Sequence, residues 1–292
     1  MTKKLTALLI ALVALIKVNA QNKDTTAHIS DAKVAPWFVE RFRLTAGGFL
    51  AVNNTSVQVG VKGGAGGTDI DFEKDLGYSQ SVFTFLANFQ WRISRRSRLN
   101  LNYYNIPRNS THTLDKEIIF KDSVYPVNAT VKSFFNTAIY QFSYGYAILA
   151  KPRYELGVLI GAHIVGAKAG ISLQTAIGGS NRNTDFGFTA PLPDLGLWGG
   201  YAITDRIAVN FDADYLALTV NDIKGSILAY NVLFLYRVLP QLDVSLGYSG
   251  LNFKVTATKP DLEGQFKWGY NGPYLGATFN FGKRSWTHSK IQ

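Results

Sequence analysis

The sequence predicts a single closed antiparallel transmembrane β-barrel of about ten strands, and three observations carry that prediction. First, between about Arg43 and Phe281 the chain is a series of stretches that alternate apolar with polar or small side chains. Phe83, Phe85, Ala87, Phe89, Trp91 and Ile93 share one parity, while Thr84, Asn88, Gln90 and Arg92 share the other. Successive strand residues point to opposite faces, so each stretch has one apolar wall and one polar wall. Second, the connections alternate between short and long, the habit of a membrane barrel with tight turns at one end and loops at the other. Third, aromatic residues mark strand ends, where a membrane interface favours Tyr and Trp.

The elements follow in order. Residues 1–20 read as a secretory signal: Lys3 and Lys4 are the basic part, Leu5 to Ile16 the apolar part, and Val18-Asn19-Ala20 the cleavage site before Gln21. Twenty or so apolar residues are needed to span a bilayer, and this run is too short. Residues 21–40 form a polar lead-in on the periplasmic side, with Trp37 and Phe38 expected at the membrane interface. The barrel occupies 41–281, with strands near 43–61, 80–94, 98–108, 131–149, 154–174, 187–203, 207–219, 225–238, 242–257 and 264–281. In the first strand the apolar set moves from Leu44, Ala46, Leu50 and Val52 to Val57, Val59 and Val61, so the parity slips at Asn53-Asn54 and a bulge or break is expected there. If that were a true turn and another strand were hidden, the count would be twelve. Residues 282–292 are left as a periplasmic tail.

Composition removes several classes. Only 17% of residues are charged and 47% are hydrophobic, yet no long apolar run follows the signal, which disfavours a helical membrane protein. The 27 glycines suit a turn-rich barrel. There is no cysteine, hence no disulfide framework, thiolate metal site or cysteine nucleophile. The formal charge of +10 falls to +7 once Lys3, Lys4 and Lys17 leave with the signal. The remaining basic residues are scattered, and the one cluster, Arg95-Arg96 with Arg98, reads as a solvated turn, so nucleic acid is not expected as a partner.

The aromatics support the strand assignment separately. Trp91, Tyr146, Tyr201, Tyr236 and Phe281 have outward parity beside the short turns. Tyr103, Tyr215, Tyr230 and Tyr248 share that parity about 15–20 Å away, taking roughly 3.3 Å per residue and a 45° tilt. Two interfacial girdles are expected.

Four segments, Phe42–Ala51 (FRLTAGGFLA), Asp69–Gly77 (DIDFEKDLG), Ala190–Ala202 (APLPDLGLWGGYA) and Asn271–Phe281 (NGPYLGATFNF), resemble small outer-membrane β-barrel proteins of Gram-negative bacteria, in particular a largely uncharacterised ten-stranded group. The last segment is also similar to the terminal signal read by the barrel-insertion machinery, with Leu275, Ala277, Phe279 and Phe281 alternating up to an aromatic, although Gly282–Gln292 follows it. The resemblance implies an outer-membrane location, with membrane lipid, lipopolysaccharide and the insertion machinery as partners. It implies no activity.

Candidate chemistry lies on the inward parity. His163, Asp194 and Asp214 fall at similar heights on three adjacent strands, a set that could relay a proton, bind a metal or serve a hydrolase. The plainer reading is a hydrated lumen in which they bond one another, together with Asn210 and Asp212. Nearer the short turns, Arg43, Arg92, Glu155, Arg237 and Asp243 point inward, either as a salt-bridged plug, the favoured reading, or as an anion-selective constriction. The alternation of Asp69, Asp71, Glu73 and Asp75 reads as a solvated hairpin rather than a calcium loop, because Lys74 stands where an EF-hand needs glycine. His112 with Asp115 forms a weak rim pair. No nucleotide, zinc-protease or nucleophile-elbow motif occurs, and no metal or cofactor is expected.

The functional expectation is an outer-membrane barrel that is either a narrow channel for a small solute or a structural and surface-interaction barrel. The alternative is a hydrolase of lipid A, phospholipid or peptide, using His163 or His112. A third reading, a carrier of apolar molecules with a side opening, would use Asn53-Asn54 and the stretch Pro191–Pro193.

Overall fold

The computed structural model describes residues 34–60, 69–120, 123–173, 183–220, 222–259 and 262–290. The expected signal, the first part of the lead-in and the glycine run Gly63–Gly67 lie outside the described residues. In chain order the elements begin with β1 (Val34–Ala35), β2 (Phe42–Gly60), β3 (Asp69–Asp71) and the short helix α1 (Phe72–Asp75). Next come β4 (Ser81–Arg92), β5 (Ser97–Thr113), β6 (Ile118–Phe120), β7 (Ser123–Tyr125) and β8 (Thr130–Ala150). They are followed by β9 (Tyr154–Leu173), β10 (Asn183–Ala202), β11 (Ile207–Val220) and β12 (Ile223–Leu239). The last are β13 (Leu242–Lys259), β14 (Leu262–Phe281) and β15 (Thr287–His288).

Ten long strands, β2, β4, β5 and β8 to β14, pair antiparallel with their neighbours, and β14 returns to β2 from Phe281↔Phe42 to Glu263↔Gly60. The cylinder closes through β14 and β2, so most of the backbone of its wall finds partners within the wall, as a segment in hydrocarbon must. The count is ten, not twelve.

Short turns collect at the end that carries β1 and β15, here the terminal end. Two of them are built by hydroxyl side chains that mimic backbone turns. Ser94 Oγ accepts from the amides of Arg96 (3.3 Å) and Ser97 (3.0 Å), and Thr204 Oγ1 accepts from those of Arg206 (3.2 Å) and Ile207 (2.9 Å). The opposite, loop end carries the longer connections.

The outer wall is apolar over a defined height. Phe85 is 70% exposed, Phe83 63% and Leu275 61%, values that a water-soluble surface would not sustain side by side. On β9 the outward set is Tyr154, Leu156, Val158, Ile160 and Ile164 before Gly166 and Lys168. On β12, counted from the terminal end, it is Val238, Tyr236, Phe234, Val232, Tyr230 and Leu228 before Ser226 and Lys224. About ten residues at roughly 3.3 Å and a 45° tilt make a band about 23 Å tall, the thickness a transmembrane barrel presents to lipid. No helix among the described residues is long and apolar enough to cross a membrane.

The slip expected at Asn53-Asn54 is absent. Arg43, Phe49, Ala51, Asn53, Thr55 and Val57 are all buried on one inward parity, so β2 runs straight through. Val57 faces inward, against expectation, because the loop half of the barrel interior is itself apolar. The change of hydrophobic parity is a change of interior chemistry, not of backbone geometry.

Real interruptions in the wall fall at prolines. β4 pairs with β5 only as far as Leu86↔Tyr104, and β10 with β11 only as far as Leu195↔Tyr215. Beyond those points Pro107 lies on one free edge and Pro191 and Pro193 on the other, while Gly272-Pro273 breaks the β14–β2 ladder. Proline has no N–H to donate, so a sheet accepts it only at an edge.

Candidate functional site

The interior is layered, and the first layer closes the terminal end. β1 pairs in parallel with β15, and Trp37, Phe38, Val39 and Trp286 bury in the mouth against Ala202, Ala208 and Leu235. The Trp37 indole donates to the Thr204 carbonyl (2.9 Å) and the Trp286 indole to that of Val39 (2.9 Å). Trp37 and Phe38 therefore plug the barrel rather than rest at the membrane interface. Their rings reach the mouth because the turn at Pro36–Val39 folds the chain back under β2. Glu40 joins this plug to the wall, ion-paired with Arg237 (3.1 Å) and Arg284. Burial pushes the Glu40 carboxyl above its usual range, a shift its arginines oppose. His288 lies 3.5 Å from Glu40 and is pushed down to about 4, by burial first and then by the charges of Arg284, Arg237 and Arg95.

Above the plug sits a layer of paired charge. Arg92 binds Glu155 with both terminal nitrogens (2.6 and 3.2 Å), and Arg95 reaches the same carboxylate at 2.9 Å. Asp243 receives Arg237 (3.4 Å), Arg43 (3.8 Å) and the Asn280 amide (2.6 Å). Arg98 lies 3.5 Å from the centre of the Trp198 ring, with Arg92 5.3 Å from it. The indole fits because Gly145 and Gly157 flank it; a Cβ on either would come within 2.9 or 2.7 Å of Trp198. Arg95 and Arg98 thus belong to the interior, not to a solvated turn. Their long stems carry the charge back into the mouth, where a single glutamate attracts it. Only the inward parity of Arg98 hinted at this.

The next layer is a polar chamber holding a cavity of about 130 Å³, lined by residues that include Asn88, Gln90, Asn100, His163, Asp212 and Asp214. His163 Nδ1 lies 2.7 Å from Asp194 Oδ2. The ladder places Asp194 opposite Gly161, two residues from His163, which makes acid and imidazole diagonal neighbours. Gly161 leaves the acid its space, and Gly196 does the same for Asp214, whose Oδ1 would lie 2.0 Å from a Cβ there. Gln141 donates to Asp214 (3.1 Å) and accepts from Asn102 (2.6 Å), so one chain of bonds crosses the lumen from β5 through β8 to β11. Asn231 donates to Asp212 (3.5 Å), and Asn210 lines the same cavity. His163, Asp194 and Asp214 are each at most 2% exposed.

The loop half is filled by apolar side chains that meet across the lumen. Tyr270 packs on Phe49 (ring centres 5.3 Å) and Tyr104 (6.2 Å), Phe135 on Trp268 (6.2 Å), and Phe188 on Phe266 (5.2 Å). Two connections fold into this core. Phe72 of α1 stacks against Tyr78 and meets Phe135 edge-on at 5.3 Å, while the β6–β7 hairpin buries Ile118, Phe120 and Tyr125. The acidic alternation is therefore not a solvated hairpin. Glu73 is buried and accepts from Arg108 (2.6 Å) and the Thr55 amide (2.9 Å); Asp71 caps α1, and Asp75 pairs with Lys116 (2.8 Å). Arg108 also binds Thr55 Oγ1 and the Ser79 carbonyl, which fills the gap between β4 and β5. His112 packs beside Gly77 and no hydrogen bond joins it to Asp115, so that pair does not form among the described residues. No cluster of three or more metal-ligating acids and histidines occurs there either.

The gap between β10 and β11 has no such filling among the described residues. It opens into an apolar cavity of about 610 Å³ lined by Phe186, Phe188, Ala190, Leu192, Leu216, Leu218, Ile227, Val255 and Phe266, with Pro191 and Pro193 at its edge. Among the described residues no charged one lines it.

No protein-family model matches the chain, and no curated protein matches it. Solved structures do. The outer membrane protease OmpT from Escherichia coli aligns over 84% of this chain and 100% of its own, at 12% identity and a TM-score of 0.54. Ail of Yersinia pestis (11% identity, 83% and 100% covered, TM-score 0.33) and the Pseudomonas putida toluene transporter TodX (9%, 87% and 94%, TM-score 0.34) align less well. At these identities the OmpT likeness speaks for architecture alone. With the ten closed strands and the apolar outer band, it assigns this chain the fold of the outer-membrane β-barrels of Gram-negative bacteria.

Proposed function

We propose that this protein is an integral outer-membrane barrel that takes an apolar molecule through its side wall, not a solute along its axis. The single observation that carries the reading is the unpaired stretch of β10 against β11, opening into the 610 Å³ apolar cavity. A cavity of that size and lining suits a small apolar ligand, since such pockets usually span about 300–1,000 Å³. An axial channel is disfavoured by the plug, the paired charges and the aromatic layer, which occupy successive heights of the lumen. The hydrolase reading has its acid and imidazole side by side, but they are sealed between those layers, so we assign His163, Asp194 and Asp214 to the internal bonding of the wall. The apolar belt, with Trp91, Tyr146, Tyr201, Tyr236 and Phe281 at its terminal edge and Tyr103, Tyr215, Tyr230 and Tyr248 within it, is the lipid contact in this reading.

The test uses the purified protein in a neutral detergent with an uncharged solvatochromic alkyl dye. The wild type should bind the dye, and the cavity-filling pair Ala190→Trp and Ile227→Trp should lose it while retaining the folded mobility shift on unheated gels. Planar bilayers should show no ion current for wild type, Arg92→Ala or Arg237→Ala. Unitary current steps from the wild type, or dye binding indifferent to the filled cavity, would refute the proposal.

A further inference from the structure

The rim of the side opening is basic where its interior is not. Lys168 on β9 stands opposite Gly187 of β10, and Lys224 on β12 stands opposite Thr219 of β11, so one exposed lysine flanks the opening on each side. Lys168 leans over the edge: its Cγ lies 3.3 Å from the place a Cβ on Gly187 would occupy. On both flanks the lysine is four residues beyond the last large outward aliphatic, Ile164 on β9 and Leu228 on β12. At roughly 3.3 Å per residue and a 45° tilt, the lysine backbone positions stand about 9 Å above the last of those aliphatics, the level of lipid headgroups. Two further exposed lysines continue the rim, Lys254 on β13 and Lys267 on β14, and the ladder sets them directly opposite each other. Like charges at such a pair repel, an arrangement that a bound anion relieves. Asp185 and Asp222 lie nearer the loop end, beyond the lysines.

Resting on the side-opening reading, we infer that the occupant is an anionic glycerophospholipid, with one acyl chain in the cavity between β10 and β11 and its phosphate held between Lys168 and Lys224. The chemistry divides cleanly. The cavity lining offers an acyl chain mostly apolar contact, with Gln58, Thr189, Ser226 and Gln265 its polar members, and the charge needed for a phosphate stands at the rim, on β9 and β12, one strand out from the gap on each side. The second acyl chain remains against the outer wall, along Pro191, Pro193 and Leu195, which point outward below the lysines.

Displacement of the uncharged dye from the full chain in neutral detergent tests this. Dioleoylphosphatidylglycerol should displace it at concentrations roughly 30-fold lower than dioleoylglycerol, the preference that two lysines confer at a lipid headgroup. Lys168→Ala with Lys224→Ala should remove the preference while leaving displacement by dioleoylglycerol unchanged, and Lys168→Arg with Lys224→Arg should restore it. Lys132→Ala, a basic residue on β8 away from the opening, should have no effect. Equal displacement by the two lipids in the wild type would overturn the headgroup site and leave the side opening standing. Failure of the dye itself to bind would remove both.

Discussion

Glu155 neutralises two buried arginines in the barrel's terminal half, and Glu155→Gln tests how far that half depends on it. The carboxylate is 3% exposed and serves two guanidinium groups, Arg92 at 2.6 Å and Arg95 at 2.9 Å. Neutralising it leaves both arginines without their counterion in a buried layer that already contains Arg98 on the face of Trp198. Removing one partner of a buried ion pair costs about 3–5 kcal/mol. Because one acid here neutralises two cations, the upper part of that range is expected. Typical folded domains are stable by only about 5–15 kcal/mol, so the variant should unfold at a much lower urea concentration in detergent micelles. The assay is loss of the heat-modifiable band against urea for wild type, Glu155→Gln, Arg92→Met and the double variant. In the double variant the coupling should recover about 1–3 kcal/mol, since one orphaned charge is gone. If Glu155→Gln unfolded within 0.5 kcal/mol of wild type, the layer would be hydrated and its ion pairs of no structural consequence.

Three further outcomes follow from the same geometry. Gly157→Ala should destabilise the barrel by about 1–3 kcal/mol in the same urea assay, because the new methyl would meet Trp198 at 2.7 Å and the Tyr146 carbonyl at 2.3 Å. Glu73→Gln should leave the barrel intact but raise protease cleavage within 69–80, since α1 is tied to the wall through Glu73, Arg108 and Thr55. The plug should loosen on acidification: His288 is pushed down to about 4 in the folded chain, so its contribution is intact above its ordinary value of 6.5 and is lost as pH falls from there toward 4. Glu40, raised by burial, works the other way when it takes up a proton. The protection factors of 34–40 and 284–289, taken relative to the base-catalysed intrinsic exchange rate at each pH, should therefore be lower at pH 5 than at pH 7.5, and His288→Leu should flatten the difference.

How much of this was legible in the residues differs from layer to layer. The ten strands, their outward parity and the short turns were readable because a lipid-facing wall imposes period two on every strand, and hydroxyl-bearing turns punctuate it. Strand ends were less so: β5 continues to Thr113 and β10 starts at Asn183, where polar side chains give no alternation. Pairings between neighbouring strands at matched height, such as His163 with Asp194, could be placed by counting from the turns. Contacts made by connections could not be placed that way. Glu73 looked solvated and Trp37 interfacial, since nothing local states that a loop or lead-in will fold into the barrel. Arg95 looked like a surface turn residue for the same reason, its partner being sixty positions away.

The alternation together with the spacing of the turns therefore determined the cylinder and which face meets lipid, because the pleat ties a residue's direction to its parity, while the choice of ten strands over twelve was settled by the closed ladder. What fills the cylinder was decided only in three dimensions. Val57, Phe135 and Trp268 are apolar and point inward, and they become a core only because strands from opposite sides of a narrow barrel bring them within contact distance. The side opening has the same origin. Pro191 and Pro193 mark an edge in any reading, but the splaying of β11 away from them depends on how the whole wall closes.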